Sequence, residues 1–478
     1  MRARIFSEEN CKWWTLGAVA FALFMIMLDN TVVNVALPSI QRDLGIGLSE
    51  LEWTVNAYAL TFAVLMLSGG KLADFFGRRR VFLVGLTIFT LASLACGLAT
   101  TGGTLIGART LQGVGAAIMM PATLSIISAT FPPHQRGMAI GIWAGVSAMA
   151  LAIGPLIGGL VTEHIDWSWI FFLNVPIGVL GFVVSSLVIR ESRDTSAEQR
   201  LDIPGLLASA VALFALTFAL IEANAYGWGD PVIVGLFALS AVALAVFVLL
   251  ERHQRAPMLD LSLFRSSTFA GANVVALLVT LAMFGVFFFM SIYMQNVLGY
   301  SATRTGAVFL PMTILIILIA PAAGKFSDRV GSRWLMTAGM SSLTVALLLF
   351  SRLGLDSTFW DIFPGLVVGG FGMALVMTPM TAAALGSVPV AKSGVGSGVL
   401  NTFRQVGGAL GIAVMGAIVA AYIDLDGAGR PDPAAFMDGF GRALEVSAAF
   451  ALLGAVVAAT TIRSHRHMDA GELAEAAA

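Results

Sequence analysis

Charge is what this chain has least of. Only 12% of its 478 residues are Asp, Glu, Lys or Arg, about half the share of an ordinary soluble domain. So few charges cannot cover a water-facing surface, which excludes a soluble globular protein. A disordered chain is excluded from the other side, because 58% of the residues are hydrophobic and the mean hydropathy is +0.89. The 27 basic and 28 acidic residues leave a formal net charge of −1, so no global basic field exists to hold nucleic acid. Cysteine is nearly absent: Cys11 precedes an apolar run and Cys96 lies inside one, which is no disulfide framework. The five histidines fall in expected loops or the tail, with no HExxH and no Cys/His cluster. A metalloenzyme is therefore not expected. There is no GxxxxGK(S/T) loop to bind ATP. No nucleophile–base set is visible either, so no enzyme is expected.

What the chain has is apolar length. A membrane span needs roughly 20 apolar residues at about 1.5 Å rise each. Fourteen stretches qualify, near 15–37, 51–70, 81–100, 104–130, 137–162, 168–189, 203–223, 231–250, 268–296, 303–323, 334–352, 362–386, 393–421 and 441–462. The connections are short and leave no room for a sizeable soluble domain. The first stretch lacks a small-residue cleavage site and carries Asp29, so it is expected to be retained as a span. The 51 glycines suit helices that must approach one another closely. With both termini placed in the cytoplasm, twenty Lys and Arg residues fall inside and five outside, and Arg109 and Arg404 fall within spans. That asymmetry favours cytoplasmic termini. The expected location is the cytoplasmic membrane.

The sequence repeats itself. GKLADFFGRRR at 70–80 is echoed by GKFSDRVGSR at 324–333, and Gly137 and Gly141 by Gly394 and Gly398. Two halves of like topology are expected, with a substrate site at their interface near the bilayer midplane. The expected fold is all-α: fourteen transmembrane helices, as two six-helix bundles related by a parallel repeat plus an inserted two-helix hairpin. The divisions are residues 1–202 for the first bundle, 203–250 for the hairpin, and 251–478 for an interfacial segment, the second bundle and the tail. Residues 251–266 are expected to lie along the membrane surface as an amphipathic stretch.

Two charged groups inside spans invite a functional reading. Asp29 is costly there if ionised and unpaired. A carboxylate balanced between desolvation and a nearby cation can load and release a proton near neutral pH. The alternative is a carboxylate held by backbone or by Asn30 and Asn34. Arg109 cannot lose its proton, and Gln112, three residues on, shares its helix face. On the fifth stretch Gly137, Gly141 and Gly145, then Gly154 and Gly158, recur every four residues and make a flat groove for a neighbouring helix. Pro155 removes an interior backbone bond. Candidate lining for an adaptable apolar cavity is Asn34, Trp53, Asn56, Tyr58 and Gln112, facing Phe284, Phe288, Met290, Tyr293 and Gln295. Asn401, Arg404 and Gln405 share a face of the thirteenth stretch and either line that cavity or pack between helices.

These motifs carry a resemblance. LDNTVVNVALPSI (28–40), GKLADFFGRRR (70–80), LIGARTLQGVGAA (105–117), GIWAGVSAMALAIGPLIGG (141–159) and NTFRQVGGALGIAV (401–414) resemble, in order, the signatures of the major facilitator superfamily. They are most similar to its fourteen-span drug:proton antiporter branch. The resemblance implies efflux of small amphipathic or drug-like molecules by alternating access, driven by the proton gradient with no cofactor. It implies that Arg109 modulates the proton affinity of Asp29. It implies that Gly70, Asp74, Gly77, Arg78 and Arg79 form a gating latch between the bundles. It implies that Gly141, Gly154, Pro155, Gly158 and Gly159 seal the cavity against proton leak. The expected partners are a small-molecule substrate, protons and lipid, with a monomer as the working unit. The rivals are a dedicated exporter of one metabolite or lipid, and a non-transporting membrane sensor.

Overall fold

The computed structural model describes residues 8–193, 202–254, 257, 259–388, 393–422 and 432–463. Among them there is no strand. The first eight helices are α1 (Glu8–Leu44), α2 (Leu48–Phe76), α3 (Arg78–Gly97), α4 (Gly102–Thr130), α5 (Pro133–His164), α6 (Trp169–Phe172 and Asn174–Val188), α7 (Ile203–Tyr226) and α8 (Pro231–His253). They are followed by α9 (Ser267–Ile292, ending in a π turn Tyr293–Val297), α10 (Ala302–Val308 and Leu310–Val330), α11 (Ser332–Phe350), α12 (Phe359–Gly386), α13 (Ser393–Tyr422) and α14 (Pro433–Thr461). Twelve of the described helices are long and apolar enough to cross a membrane.

Local chemistry sets the boundaries. Side chains of Thr101, Asp202, Asp230, Ser266, Ser301 and Asp432 accept from the first-turn N–H groups of α4, α7, α8, α9, α10 and α14, which would otherwise go unbonded. Pro133, Pro231 and Pro433 open helices where no N–H is needed. Gly77 and Gly331 reverse the chain at φ 107° and 87°, a region that disfavours any side chain.

The two repeated loop motifs thus share a backbone conformation, and the packing around them repeats too. In the first half α1 packs on α5 and α6, α2 on α4, and α3 on α4 and α6. In the second half the same pattern recurs eight helices later: α9 on α13 and α14, α10 on α12, and α11 on α12 and α14. Gly85 of α3 meets Gly115 of α4 backbone to backbone, and Gly339 of α11 meets Gly372 of α12 in the same way. Helices α7 and α8 pack on each other, and α7 also lies against α2 and α13.

The halves meet through α2 with α13, α5 with α10, and α1 with α9. Several of these contacts lie near the turns after the odd-numbered helices, called here the odd end. There Gly159 of α5 abuts the Ala302 backbone, and Gly306 of α10 abuts the Pro155 carbonyl. The Thr303 amide donates to Glu163 Oε2 at 2.7 Å, and Gln295 Nε2 to the Val35 carbonyl at 2.8 Å.

The connection from α8 to α9 falls within the stretch 251–266 that is expected to lie along the membrane surface. Its only helical turn among the described residues is a 3-10 turn, Leu261–Arg265. Leu259 and Leu263 are buried against the protein. The Leu259 amide donates to Glu251 Oε2 at 2.9 Å, and Lys71 Nζ donates to the Pro257 carbonyl at 2.7 Å. Its apolar side chains find protein to cover them, and polar anchors hold the segment there.

Candidate functional site

Arg109 and Asp29 meet at the centre of the first half. Each side chain is only 1% exposed. Arg109 Nη1 donates to Asp29 Oδ2 at 2.6 Å and to Gln112 Oε1 at 2.7 Å. Gln112 turns its other end back, and its Nε2 donates to Asp29 Oδ1 at 2.9 Å. Asn174 of α6 donates to the same Oδ1 at 3.1 Å and to Ser93 Oγ of α3 at 3.0 Å. Ser93 Oγ donates to the Phe171 carbonyl at 2.9 Å. Arg109 Nε donates to the Thr54 carbonyl of α2 at 3.2 Å, and its guanidinium lies 4.2 Å from the Tyr58 ring centre. Helices α1, α2, α4 and α6 all touch this one ion pair, and α3 joins through Asn174.

The arrangement answers a physical demand. A guanidinium cannot shed its charge, and an isolated buried ion is far too costly. Here each ion has its counter-charge and added hydrogen bonds. Asn30 and Asn34, the alternative partners for Asp29, instead donate to the Ile26 and Asn30 carbonyls of their own helix.

The glycines of α5 are close-approach positions, each against a particular neighbour. Gly154 lies against Thr31 of α1 and Gly158 against the Val32 backbone. Gly159 and the Pro155 carbonyl face α10 of the other half. One short stretch of α5 therefore touches both halves. The surroundings of Gly141 itself lie outside the described residues.

The helical chain, its repeated packing and this buried ion pair now stand beside known proteins. The Major Facilitator Superfamily model matches residues 19–412. The chain belongs to the major facilitator superfamily. It is a multi-pass membrane transporter, not an enzyme. It is 37% identical over 86% of its length to the tetracenomycin C resistance and export protein of Streptomyces glaucescens, covering 76% of that protein. It is 38% identical over 95% of its length to the puromycin resistance protein pur8 of Streptomyces alboniger, covering 92% of that protein. In fold it is similar to a bacterial homologue of the human lysosomal transporter Spinster, with TM-score 0.63 and 17% identity over 95% of this chain and 98% of that one.

Within this transporter the other expected site residues divide. Arg78, Arg79 and Gly77 close onto the segment after α6. The Arg78 amide donates to the Ser192 carbonyl at 3.0 Å, and the Arg79 amide to Glu191 Oε1 at 3.1 Å. A side chain on Gly77 would strike the Glu191 carboxylate. These partners belong to the first half, not the second. Gly70 is half-buried in α2, and the Asp74 side chain lies outside the described residues.

Several expected lining residues have other places. Trp53 packs against α7: its Nε1 donates to Glu222 Oε1 at 3.2 Å, and its ring lies beside Phe214 and Phe218. Phe288, Met290 and Tyr293 are fully buried. Tyr293 donates to the Gly354 carbonyl at 2.6 Å and lies against Phe440. These are core residues of the second half, because α9 is enclosed by its neighbours along nearly its whole length. Asn56 is buried with neither amide atom bonded. Phe284, Asn401, Arg404 and Gln405 keep some accessible surface.

Sequence reading overlooked Asn174, Ser93 and Glu52. Asn174 is the one amide inside the apolar run 168–189, and that was its signal. Glu52 sits at the start of an apolar run, where a charge looks like a boundary marker. It is buried, with Oε2 unbonded, and lies against Gly416 of α13.

Proposed function

We propose that this transporter exports small amphipathic or drug-like molecules across the cytoplasmic membrane by antiport with protons. The supporting observation is the Asp29–Arg109 pair: one titratable acid, wholly buried, is held by a permanent cation and two amides drawn from separate helices. Such an acid responds to small relative shifts of those helices, because its charged form depends on keeping its donors. A shift among these helices of the first half that loosens the guanidinium contact would favour proton uptake, and its return would favour release. A proton moving inward across about 100 mV supplies roughly 2.3 kcal/mol, plus any pH gradient.

In this reading all fourteen helices span the bilayer and both termini are cytoplasmic. Helices α7 and α8 form an inserted hairpin between the six-helix bundles 1–202 and 251–478. The odd end is extracellular and closed, and the loop 70–80 latches the cytoplasmic side. The drug-resistance names of the relatives support the cargo class. The test is accumulation of a substrate panel by proteoliposomes under an imposed pH gradient. Gradient-dependent uptake that dissipates with an uncoupler is expected. Uptake indifferent to the gradient would end the antiport reading.

A further inference from the structure

Arg109 in the first half and Arg404 in the second are arginines set within apolar helical stretches, and the two are provided for differently. Arg109 has a resident acid. Arg404 has none. It lies in α13, roughly 16 Å along the helix from Ser393 at about 1.5 Å per residue. Its one described polar contact is Nη2 to the Met377 thioether of α12 at 3.5 Å, a weak acceptor. Asn401, one turn earlier, spends its amide N–H on the Ser397 carbonyl. Among the described residues no carboxylate forms an ion pair with Arg404. Helices α9–α14 contain only four acids, Asp328, Asp361, Asp438 and Glu445. Asp361 caps the start of α12 and Glu445 is paired with Arg442, while Asp328 and Asp438 stand near helix ends.

A guanidinium stays charged at every accessible pH, and an uncompensated charge at this depth is expensive. Yet Arg404 is not sealed in: it keeps accessible surface, as do Asn401 and Met377. A fixed cation, with no fixed anion, on an accessible patch beside a polarisable thioether is a receptor for an anion carried on an apolar body. We propose that Arg404 is the docking cation for an acidic group, carboxylate or phenolate, of the cargo. The assignment rests on the export reading above and names its substrate class. Met377 and Phe284, both partly accessible, would adapt to the apolar remainder.

The test uses purified full-length protein and three probes with one pyrene body: pyrenebutyrate, its methyl ester, and a pyrenebutyl trimethylammonium. Binding is read by fluorescence in gluconate and in chloride buffers. Wild type should favour the carboxylate over the ester. Arg404→Gln should weaken carboxylate binding by about tenfold or more, the loss of a charge-assisted hydrogen bond, and leave the ester unchanged. Arg404→Lys should recover part of the preference. Equal binding of carboxylate and ester by wild type overturns the proposal, whatever the variants do. So does equal loss of both probes in Arg404→Gln. Displacement of pyrenebutyrate by millimolar chloride would assign the site to a small free anion and overturn it as well. Proteoliposomes separate the two readings. Gradient-driven uptake with no anion preference refutes the Arg404 assignment alone. Arg404-dependent anion binding without gradient-driven uptake refutes proton antiport alone.

Discussion

Replacing Asp29 with asparagine tests the coupling site and its structural cost together. The amide has the size of the acid but only one acceptor oxygen. If that oxygen faces Arg109, the new NH2 faces the donors of Gln112 and Asn174, which now sit 2.9 and 3.1 Å from Asp29 Oδ1. Gln112 cannot simply turn over, because its own oxygen serves Arg109 at 2.7 Å. Arg109 is left as a buried charge without a counter-ion, which costs about 3–5 kcal/mol where one partner of a buried pair is removed. Asp29→Asn should therefore insert and fold, melt at a lower temperature, and lose proton-driven accumulation. The paired change Asp29→Asn with Arg109→Gln removes both charges, and replacing both partners can be nearly neutral. It should regain most of the lost stability and none of the accumulation. Thermal melts in detergent and uptake under a pH gradient read the two effects separately. Wild-type accumulation by Asp29→Asn would refute the coupling role. A double variant that regains accumulation along with stability would show that the pair only holds the fold.

Arg109→Lys should sharply reduce efflux, because one ammonium cannot replace a fork that reaches Asp29, Gln112 and the Thr54 carbonyl together; undiminished pumping would make Arg109 a structural post. Asp74→Ala should shift the balance of inward- and outward-open forms by roughly 5- to 150-fold, the usual range of a coupling between sites, and leave cargo affinity within each form alone. Spin-label distances across the halves decide this, and an unchanged distribution with lost binding would move Asp74 into the cargo site. Gly159→Ala should push α5 from the Ala302 backbone and favour separation of the odd end, as should Gly306→Ala against the Pro155 carbonyl. Labels near 160 and 300 should move apart, and an unchanged distance would mean that the contact is not a gate.

The apolar runs announce nearly every helix, because a chain in lipid must bond its backbone within each segment. Run ends were less legible. α1 extends from Glu8 to Leu44 where the apolar run covers only 15–37, since polar residues continue a helix beyond the hydrocarbon. The breaks at Leu173 and Phe309 are each followed by a proline, Pro176 and Pro311, a mark that the continuous apolar runs concealed. The ion pair was half legible. Asp29, Arg109 and Gln112 stand out as polar groups in apolar surroundings, whereas Asn174 and Ser93 join them only through the packing of α3, α4 and α6. The aromatic residues were least legible, because a phenylalanine facing a cavity and one facing another helix look alike in sequence. Phe288 is fully enclosed, while Phe284, one turn earlier on the same helix, keeps accessible surface.

The way polar contacts are distributed bears on how the halves can move. Inside the first half, one buried network ties five helices through charged and amide groups, and such a network resists piecemeal opening. Across the seam at the odd end the contacts are different in kind. Small residues meet backbone at Gly159–Ala302 and Gly306–Pro155, with single hydrogen bonds at Glu163–Thr303 and Gln295–Val35. Small-residue contacts are held mainly by close van der Waals approach, and an exposed hydrogen bond such as Glu163–Thr303 can be exchanged for water at little net cost. Separation at this seam therefore sacrifices far less than any motion within a half. Glu52 is the exception: its carboxylate is closed in against Gly416 of the opposite half. Parting α2 from α13 would give that acid water, which favours opening. The seam thus combines weak attachments with one buried acid that gains by their release.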